Sequence, residues 1–433
     1  MLSRRIDSGW VILLFVTAFF LRLYLAPYGG SEGDVHDSIS RGEYAAQHGV
    51  VNVLDWSRQH DVPVSYPPLF CYQEAAISKI LEGRLDALQG RYPAVADAWR
   101  RVRFKLLSIA YDLFAGLAIL IFLASTTTRL WTLIGTAAYL FNPGIFINSA
   151  YWGQTDSIHS FFLLMAVLLV VTAIGNKNDG CLVAAWAVFA LAICQKLQSI
   201  VMFPPLATIT LMRRKLSTSA FSGATFLLVF LALYSPFLLE RRWDYLHSVF
   251  VASFTSFAFT QLNAFNIWTF GPVASSRATV FGVSYATMGQ TLYLGSLAWL
   301  CLSIFKASRP QNDRLETARQ AFIAAAYACL APFMVLTSMH ERYIAPVIPF
   351  LVLAACLDRR VRWLLGGFTL TYALNLLHAL QHPASDPSAL AVHNASNVAV
   401  RLFGGLLNTT MFCWFTYRLP GLMRPRPAST TMT

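Results

Sequence analysis

The chain has 433 residues, of which 56% are hydrophobic and only 12% charged, with a mean hydropathy of +0.52 and a net charge of +12. A water-soluble core of this length needs far less apolar sequence, so lipid is the solvent for most of the chain. The positive charge does not point to nucleic acid, because the basic residues sit in short connections and not in one patch with interleaved aromatics.

Apolar runs long enough to cross about 30 Å of hydrocarbon, roughly 20 residues each as helix, recur from end to end and predict an all-α bundle of about 11 to 13 spans. The first, Trp10 to Ala26, follows Arg4 and Arg5 as a signal peptide's apolar region would. The residues after it, Tyr24-Leu25-Ala26-Pro27-Tyr28, lack a small-x-small cleavage pattern, so it is expected to remain as the first span. With the amino terminus in the cytoplasm, Arg129, Lys177, Arg213, Arg214, Lys215, Lys306, Arg309, Arg314, Arg319, Arg359, Arg360, Arg362, Arg418, Arg424 and Arg426 fall on the inner side, as the positive-inside rule requires. Arg100, Arg101, Arg103 and Lys105 fall on the outer side, where long loops are largely exempt from that rule, and are read as an anchor to anionic headgroups.

Between the first two spans, residues 28–103 form a polar stretch too long for a simple connection, expected to be a small folded cap carrying interfacial helices. Its opening, Gly29-Gly30-Ser31-Glu32-Gly33-Asp34-Val35-His36-Asp37, holds carboxylates near headgroup level, avoiding the cost of about 2.5 to 3.5 kcal/mol that insertion scales give for Asp at mid-bilayer. Asp34 and Asp37 read equally as caps of a helix beginning near Ser38 or as catalytic carboxylates, with a metal site from Asp34, His36 and Asp37 behind both. Further on, Pro67 and Pro68 open a helix with Phe70, Ile77, Ile80 and Leu81 on one stripe and Gln73, Glu74, Lys79 and Glu82 mostly off it, predicted to lie flat on the bilayer.

Asp112, inside the second span, reads as an interhelical packing partner ahead of a functional group. The third run ends in Asn148-Ser149-Ala150-Tyr151-Trp152-Gly153-Gln154-Thr155-Asp156-Ser157, where Tyr151 and Trp152 suit an aromatic belt and Asp156 or Ser157 suits a helix N-cap. Lys196, in Gln195-Lys196-Leu197-Gln198, is either a phosphate contact or a snorkelling side chain. A second outer segment, residues 240–283, carries Trp243, Tyr245 and Asn263-Ala264-Phe265-Asn266-Ile267-Trp268 and is expected to close over a common cavity with the first. Ser338-Met339-His340-Glu341-Arg342-Tyr343 packs an acid, a base and a cation into one outer turn without the second His of a zinc protease. Arg342 is the leading candidate for a phosphate contact, through its paired N–H donors. From Pro420 onward the composition predicts a disordered cytoplasmic tail, residues 420–433. The cysteines give no disulfide framework or metal spacing, and neither an internal repeat nor the matched broken helices of many transporters is present.

Taken in order, Gly33-Asp34, Tyr66-Pro67-Pro68-Leu69, Trp152-Gly153-Gln154-Thr155-Asp156-Ser157, Lys196-Leu197-Gln198, Asn263-Ala264-Phe265-Asn266-Ile267-Trp268 and Met339-His340-Glu341-Arg342-Tyr343 resemble the GT-C superfamily of membrane glycosyltransferases. The likeness is nearest to bacterial polyprenyl-phosphate-mannose-type enzymes and spans almost the whole chain. It implies one transmembrane domain over residues 1–419, with its site on the periplasmic face of a bacterial inner membrane. It implies inverting transfer of a hexose, mannose by family, from a polyprenyl-phosphate donor to a glycan, lipid or protein acceptor, with a first-loop Asp as general base. Asp34 matches that position better than Asp37. Trp152, Gln154, Asp156, Lys196, His340, Glu341 and Arg342 are implied to line the donor phosphate and sugar. No cofactor is expected, since Arg and Lys can assist a one-phosphate leaving group, although a divalent metal stays open. Leu197 departs from the Pro that many relatives carry between Lys and Gln, and the second aspartate leaves the base ambiguous. Two other functions compete: a lipid-linked sugar flippase, for which the chain offers few mid-membrane ionisable groups beyond Asp112, and a non-catalytic subunit of a glycan-assembly complex.

Overall fold

The computed structural model describes residues 8–30, 32–62, 66–213, 215–252, 258–307, 314–381 and 395–426. Ser31, Arg4, Arg5, Arg214, Arg309 and residues 427–433 of the expected tail lie outside the described residues. Among the described residues nine helices are long and apolar enough to cross a membrane. They are α1 (Ser8–Leu25), α6 (Pro93–Thr126), α7 (Arg129–Trp152), α8 (Asp156–Asn176), α11 (Leu216–Leu239), α13 (Tyr285–Ala307), α14 (Arg314–Val335), α16 (Arg359–Gln381) and α17 (Val398–Met423, its helix opening at Ala395). Three shorter apolar helices join them, α9 (Asp179–Gln195), α10 (Leu197–Met212) and α15 (Val347–Leu357), and a short helix, α12 (Trp243–His247), opens the second outer segment. The chain is therefore a multi-pass integral membrane protein of all-α architecture, its only described sheet being a hairpin, Thr279–Val280 with Val283–Ser284.

Helix α14 lies at the centre, buried along its whole span, while α1 is mostly exposed to the surrounding lipid. Ala318, Ala321, Ala324, Ala325, Ala326, Ala328 and Ala331 explain how α14 fits there, because small side chains let neighbouring backbones approach where water cannot drive helices together.

At the end that the charge pattern assigns to the outside, the described residues between 28 and 92 fold into a cap of four helices, α2 (Glu32–His48), α3 (Val53–His60), α4 (Pro68–Ser78) and α5 (Glu82–Gln89). Its centre is a buried ion pair: the Arg41 guanidinium donates to both Glu74 oxygens at 2.8 and 2.6 Å and to Ser38 Oγ at 3.1 Å. Tyr66, Phe70 and Trp56 surround the cation. This corrects the stripe expected from the sequence. Helix α4 ends before Ile80 and Leu81, which are exposed, and it buries Glu74 with Phe70, Cys71, Ala75 and Ser78, because pairing with Arg41 draws the carboxylate inward.

The basic cluster before the second span is corrected too. Arg103 is buried, donating to the Ser78 carbonyl at 2.7 Å and to Glu43, and Lys105 donates to the carbonyls of Tyr28 and Tyr151 at 2.8 and 2.7 Å. These cations fasten the cap to α6 and α7; Arg100 and Arg101 pair with Asp86 and Asp97. Asp112 is a packing partner, accepting from Arg22 of α1 at 3.0 Å and from Ser149 of α7 at 2.5 Å.

At the opposite end Arg319 is not a loop cation but a wholly buried one, paired with Glu316 and with Asp358 and donating to the carbonyls of Leu422 and Arg424. Gln320 reaches the Met423 carbonyl at 2.8 Å. These donors satisfy the last carbonyls of α17, so the helix continues through Pro420 to Met423 where a disordered tail was expected to begin.

Candidate functional site

Several chain segments bring their polar side chains to the outer end of the bundle. Helix α7 is α-helical to Leu140, restarts at Pro143 and winds as a π-helical turn over Ile147–Trp152, a wide form found frequently at functional sites. The chain then reverses through Gly153, whose φ of +87° few other residues adopt. The start of the cap lies against this reversal. A side chain on Gly30 would run into the Trp152 carbonyl at 2.7 Å, and one on Gly153 into Lys105. Lys105, bound to both Tyr28 and Tyr151, closes the contact.

The result is that Gln154 meets Asp34, donating from Nε2 to the carboxylate at 2.9 Å. Helix α2 begins at Glu32, so Asp34 and Asp37 lie within its first two turns and neither caps a helix near Ser38. The Asp37 side chain makes no hydrogen bond or ion pair with any other described residue. The two aspartates are thereby distinguished: Asp34 joins the cluster and Asp37 does not.

Asp156 opens α8 and is fully buried. Lys196, at the break between α9 and α10, ion-pairs with it. Asn148 Nδ2 donates to it at 3.3 Å, His159 Nε2 lies at 3.5 Å and Arg342 Nε at 4.0 Å. Arg342 also donates from Nη1 to Glu341 at 2.8 Å and lies over the rings of Trp152 and Tyr343, with Lys196 over Tyr343 as well.

The turn carrying these residues, Glu341–Ile344, is held by the second outer segment, whose Leu262 and Asn263 pair with the His340 backbone while Ser338 N–H donates to the Phe259 carbonyl. Asn266 and Trp268 do not line the site: they donate to carbonyls at the end of α14, at Phe333 and Val335. The two outer segments do touch, through Arg242 with Asp55 at 3.1 Å, Arg58 with Asp244 at 2.8 Å, and the Tyr245 hydroxyl on the Tyr66 carbonyl at 2.7 Å.

Burial dominates the electrostatics. It pushes His340 well below the usual histidine range, helped by the Arg342 and Lys196 cations, so the ring is neutral at physiological pH. It raises the Glu341 carboxyl against the pull of Arg342. For Arg342 burial works against the charge but is outweighed, first by Glu341 and then by Asp34, which places the Asp34 carboxylate in the field of the guanidinium. The Tyr66 phenol, raised by burial, senses Arg41, Arg342 and Asp34, linking the centre of the cap to the cluster.

Of the residues expected from the sequence, Asp34, Trp152, Gln154, Asp156, Lys196, His340, Glu341 and Arg342 come together. His159, Asn148 and the Arg41–Glu74 pair were not foreseen. His159 had a readable signal, since it stands three residues after Asp156 on one helix face at the mouth of an apolar run. Among the described residues no group of three or more His, Cys, Asp or Glu side chains is arranged to hold a metal ion.

No protein-family model matches the chain, and no curated protein matches it significantly. Among solved structures, the crystal structure of ArnT from Cupriavidus metallidurans bound to undecaprenyl phosphate is similar, with a TM-score of 0.50 and 15% sequence identity, the match covering 96% of this chain and 78% of that one. At that identity the likeness is one of fold alone, and it agrees with the all-α transmembrane bundle expected from the sequence.

Proposed function

We propose that this protein transfers a sugar from a polyprenyl-phosphate-linked donor to an acceptor hydroxyl at the outer face of the membrane. The observation that carries the reading is an accessible carboxylate, Asp34, held by Gln154 within the field of a guanidinium, Arg342, which lies beside a second cation, Lys196, at the outer ends of the spans. The undecaprenyl phosphate bound by the structurally similar protein supports a lipid phosphate as the ligand.

In this mechanism the acceptor oxygen attacks the anomeric carbon from the face opposite the phosphate, and its proton passes to Asp34. The bond between anomeric carbon and phosphate oxygen breaks with its electron pair left on the phosphate, so configuration inverts. Gln154 orients the base through its hydrogen bond, a role worth having because a positioned carboxylate contributes about 10²- to 10⁴-fold. Arg342 and Lys196 stabilise the departing phosphate with oriented donors that need no rearrangement at the moment of reaction. Trp152 and Tyr343, beside these cations, supply ring faces for the sugar or the first prenyl unit. We assign the sugar as a hexose, mannose by family resemblance, and the membrane as a bacterial inner membrane with the site facing the periplasm.

The test is transfer of labelled mannose or glucose from synthetic polyprenyl-phosphate donors to membrane extracts by purified protein. Wild type is expected to form product and Asp34→Asn to form none while binding polyprenyl phosphate normally. Translocation of an unaltered lipid-linked sugar across liposomes, without product, would replace the transferase reading by that of a flippase.

A further inference from the structure

Each cation of the site is already matched by a carboxylate at rest. Arg342 donates to Glu341 at 2.8 Å, Lys196 pairs with Asp156, and Asp34 lies within the field of both Arg342 and Glu341. Two cations against three carboxylates leave this cluster at a formal charge of −1. A sugar phosphodiester brings one more negative charge to groups mostly withdrawn from water, Asp156 being 0% and Glu341 2% exposed. Desolvated like charges disfavour one another's ionisation, so a carboxylate must give up its charge when the phosphate enters.

The three carboxylates are not equal candidates. Asp156 is held by Lys196, Asn148 and His159, none of which needs to move. Asp34 is exposed, keeps its bond from Gln154, and is the proposed base. Glu341 is buried and has one side-chain hydrogen-bond donor, Arg342 Nη1, on the guanidinium that the phosphate needs. The same guanidinium has a buried Nε with no hydrogen-bond partner, a second donor for an entering oxygen.

We propose that Glu341 stands in the place of the donor phosphate in the resting protein, and that donor binding exchanges this carboxylate for phosphate on Arg342 with uptake of one proton from solvent by Glu341. The inference rests on the reading of the cluster as a polyprenyl-phosphate site. No covalent bond changes: the proton converts the Glu341 carboxylate to a neutral acid, and the phosphate oxygens take the guanidinium N–H donors it releases.

Burial already lifts the Glu341 carboxyl while Arg342 alone among its side-chain contacts pulls it down strongly, so release of Arg342 raises it further. The charged and titratable groups facing Glu341 are Arg342, His340 and Tyr343 on its own turn, Asp34 from α2, Lys196 from the α9–α10 break and Tyr372 from α16. Helix α14, packed against the same turn, ends in the apolar run from Ala331 to Val335. None of these substitutes for Glu341: the phenols of Tyr343 and Tyr372 are neutral already, burial beside Arg342 and Lys196 keeps a proton off His340, and Lys196 stays with Asp156.

The measurement uses the full chain in phosphatidylcholine nanodiscs and a polyprenyl methyl phosphate, a diester whose single charge does not titrate near neutrality. Isothermal titration in buffers of differing ionisation enthalpy counts the protons bound with the ligand. Wild type is expected to take up as much as one proton, with Kd rising as much as tenfold per pH unit in the window between the two Glu341 pKa values. Glu341→Gln, which keeps the side-chain shape without the charge, is expected to bind at least as tightly, with no uptake and a flat pH dependence. Binding by wild type without proton uptake anywhere between about pH 5 and 8 would overturn the exchange and leave the polyprenyl-phosphate site standing. Uptake unchanged in Glu341→Gln would also overturn it, by assigning the proton elsewhere. The same uptake on adding phosphatidylglycerol in place of the diester would assign the exchange to bulk lipid phosphate and overturn its link to the donor. No binding by either protein would sink the polyprenyl-phosphate reading and this inference together.

Discussion

Replacing Asp112 by Ala strands the Arg22 guanidinium among α1, α6 and α7, since both side chains are wholly buried and Arg22 Nε donates to Asp112 at 3.0 Å. Removing one partner of a buried pair costs about 3 to 5 kcal/mol, and an unpaired Arg inside a span costs about 2.5 to 3.5 kcal/mol on insertion scales. The two ranges meet at about 3 kcal/mol, or roughly a hundredfold in the folded-to-unfolded ratio. Replacing both partners, Arg22→Met with Asp112→Leu, removes the stranded charge along with its partner and is expected to stay within about 1 kcal/mol of wild type. Ser149 tolerates the change because its hydroxyl also reaches the Ile145 carbonyl at 3.1 Å. Equilibrium unfolding in mixed detergent and dodecyl sulfate micelles, followed by tryptophan fluorescence, reads both effects. A single variant as stable as wild type, or a double variant as unstable as the single, would refute the reasoning.

Two further predictions concern the site. Arg342→Ala removes charge-assisted hydrogen bonds worth about 1.5 to 3 kcal/mol each, so the affinity for polyprenyl phosphate is expected to fall at least tenfold, with Arg342→Lys recovering only part of it because ammonium lacks the planar fork; full recovery by Lys in a binding titration would show that a point charge suffices. His340 is held neutral well below the histidine range, so below about pH 6.5 the unfolded chain binds a proton that the folded chain does not, and stability is lost as pH falls. The slope from this residue is as much as about 1.4 kcal/mol per pH unit, and His340→Gln is expected to flatten the acid side of a thermal-stability profile between about pH 5 and 6.5; an unchanged profile would contradict a buried neutral ring.

The spans and most of the site were legible in the sequence for a common physical reason: ionisable residues are conspicuous between apolar runs. Asp156, Lys196 and Arg342 stand at such breaks, and the chain brings them within ion-pair range. What the sequence hid was pairing between distant positions. Nothing about Arg41 announced Glu74 as its partner, thirty-three residues away, and without that pair Glu74 reads as a solvent-facing residue off the apolar stripe. Arg103 and Lys105 read as headgroup anchors for the same reason: Lys105 has backbone carbonyls as its acceptors, which no side-chain pattern advertises, and Arg103 joins the Ser78 carbonyl to Glu43, sixty residues away. Position 420 misled because Pro suggests a helix end, whereas donors from Arg319 and Gln320, a hundred residues earlier, satisfy the carbonyls of the final turn.

Those backbone partners also explain how a soluble-looking loop can deliver a carboxylate to a membrane-embedded cluster. Irregular backbone at the membrane face survives only where protein or captive water satisfies it. Here the Gln154 N–H donates to the Asn148 carbonyl and the carbonyls of Tyr28 and Tyr151 share one ammonium, Lys105. Lys105 belongs to α6, whose 34 residues at about 1.5 Å each run some 50 Å, well beyond the roughly 30 Å of hydrocarbon. The outer turns of that helix therefore stand clear of the core of the bilayer and serve as a post to which the cap is bound. Asp34 reaches Gln154 because the residues six positions before it and three before Gln154 are tied to that post, and the placement of the proposed base depends on a cation that touches neither reacting group.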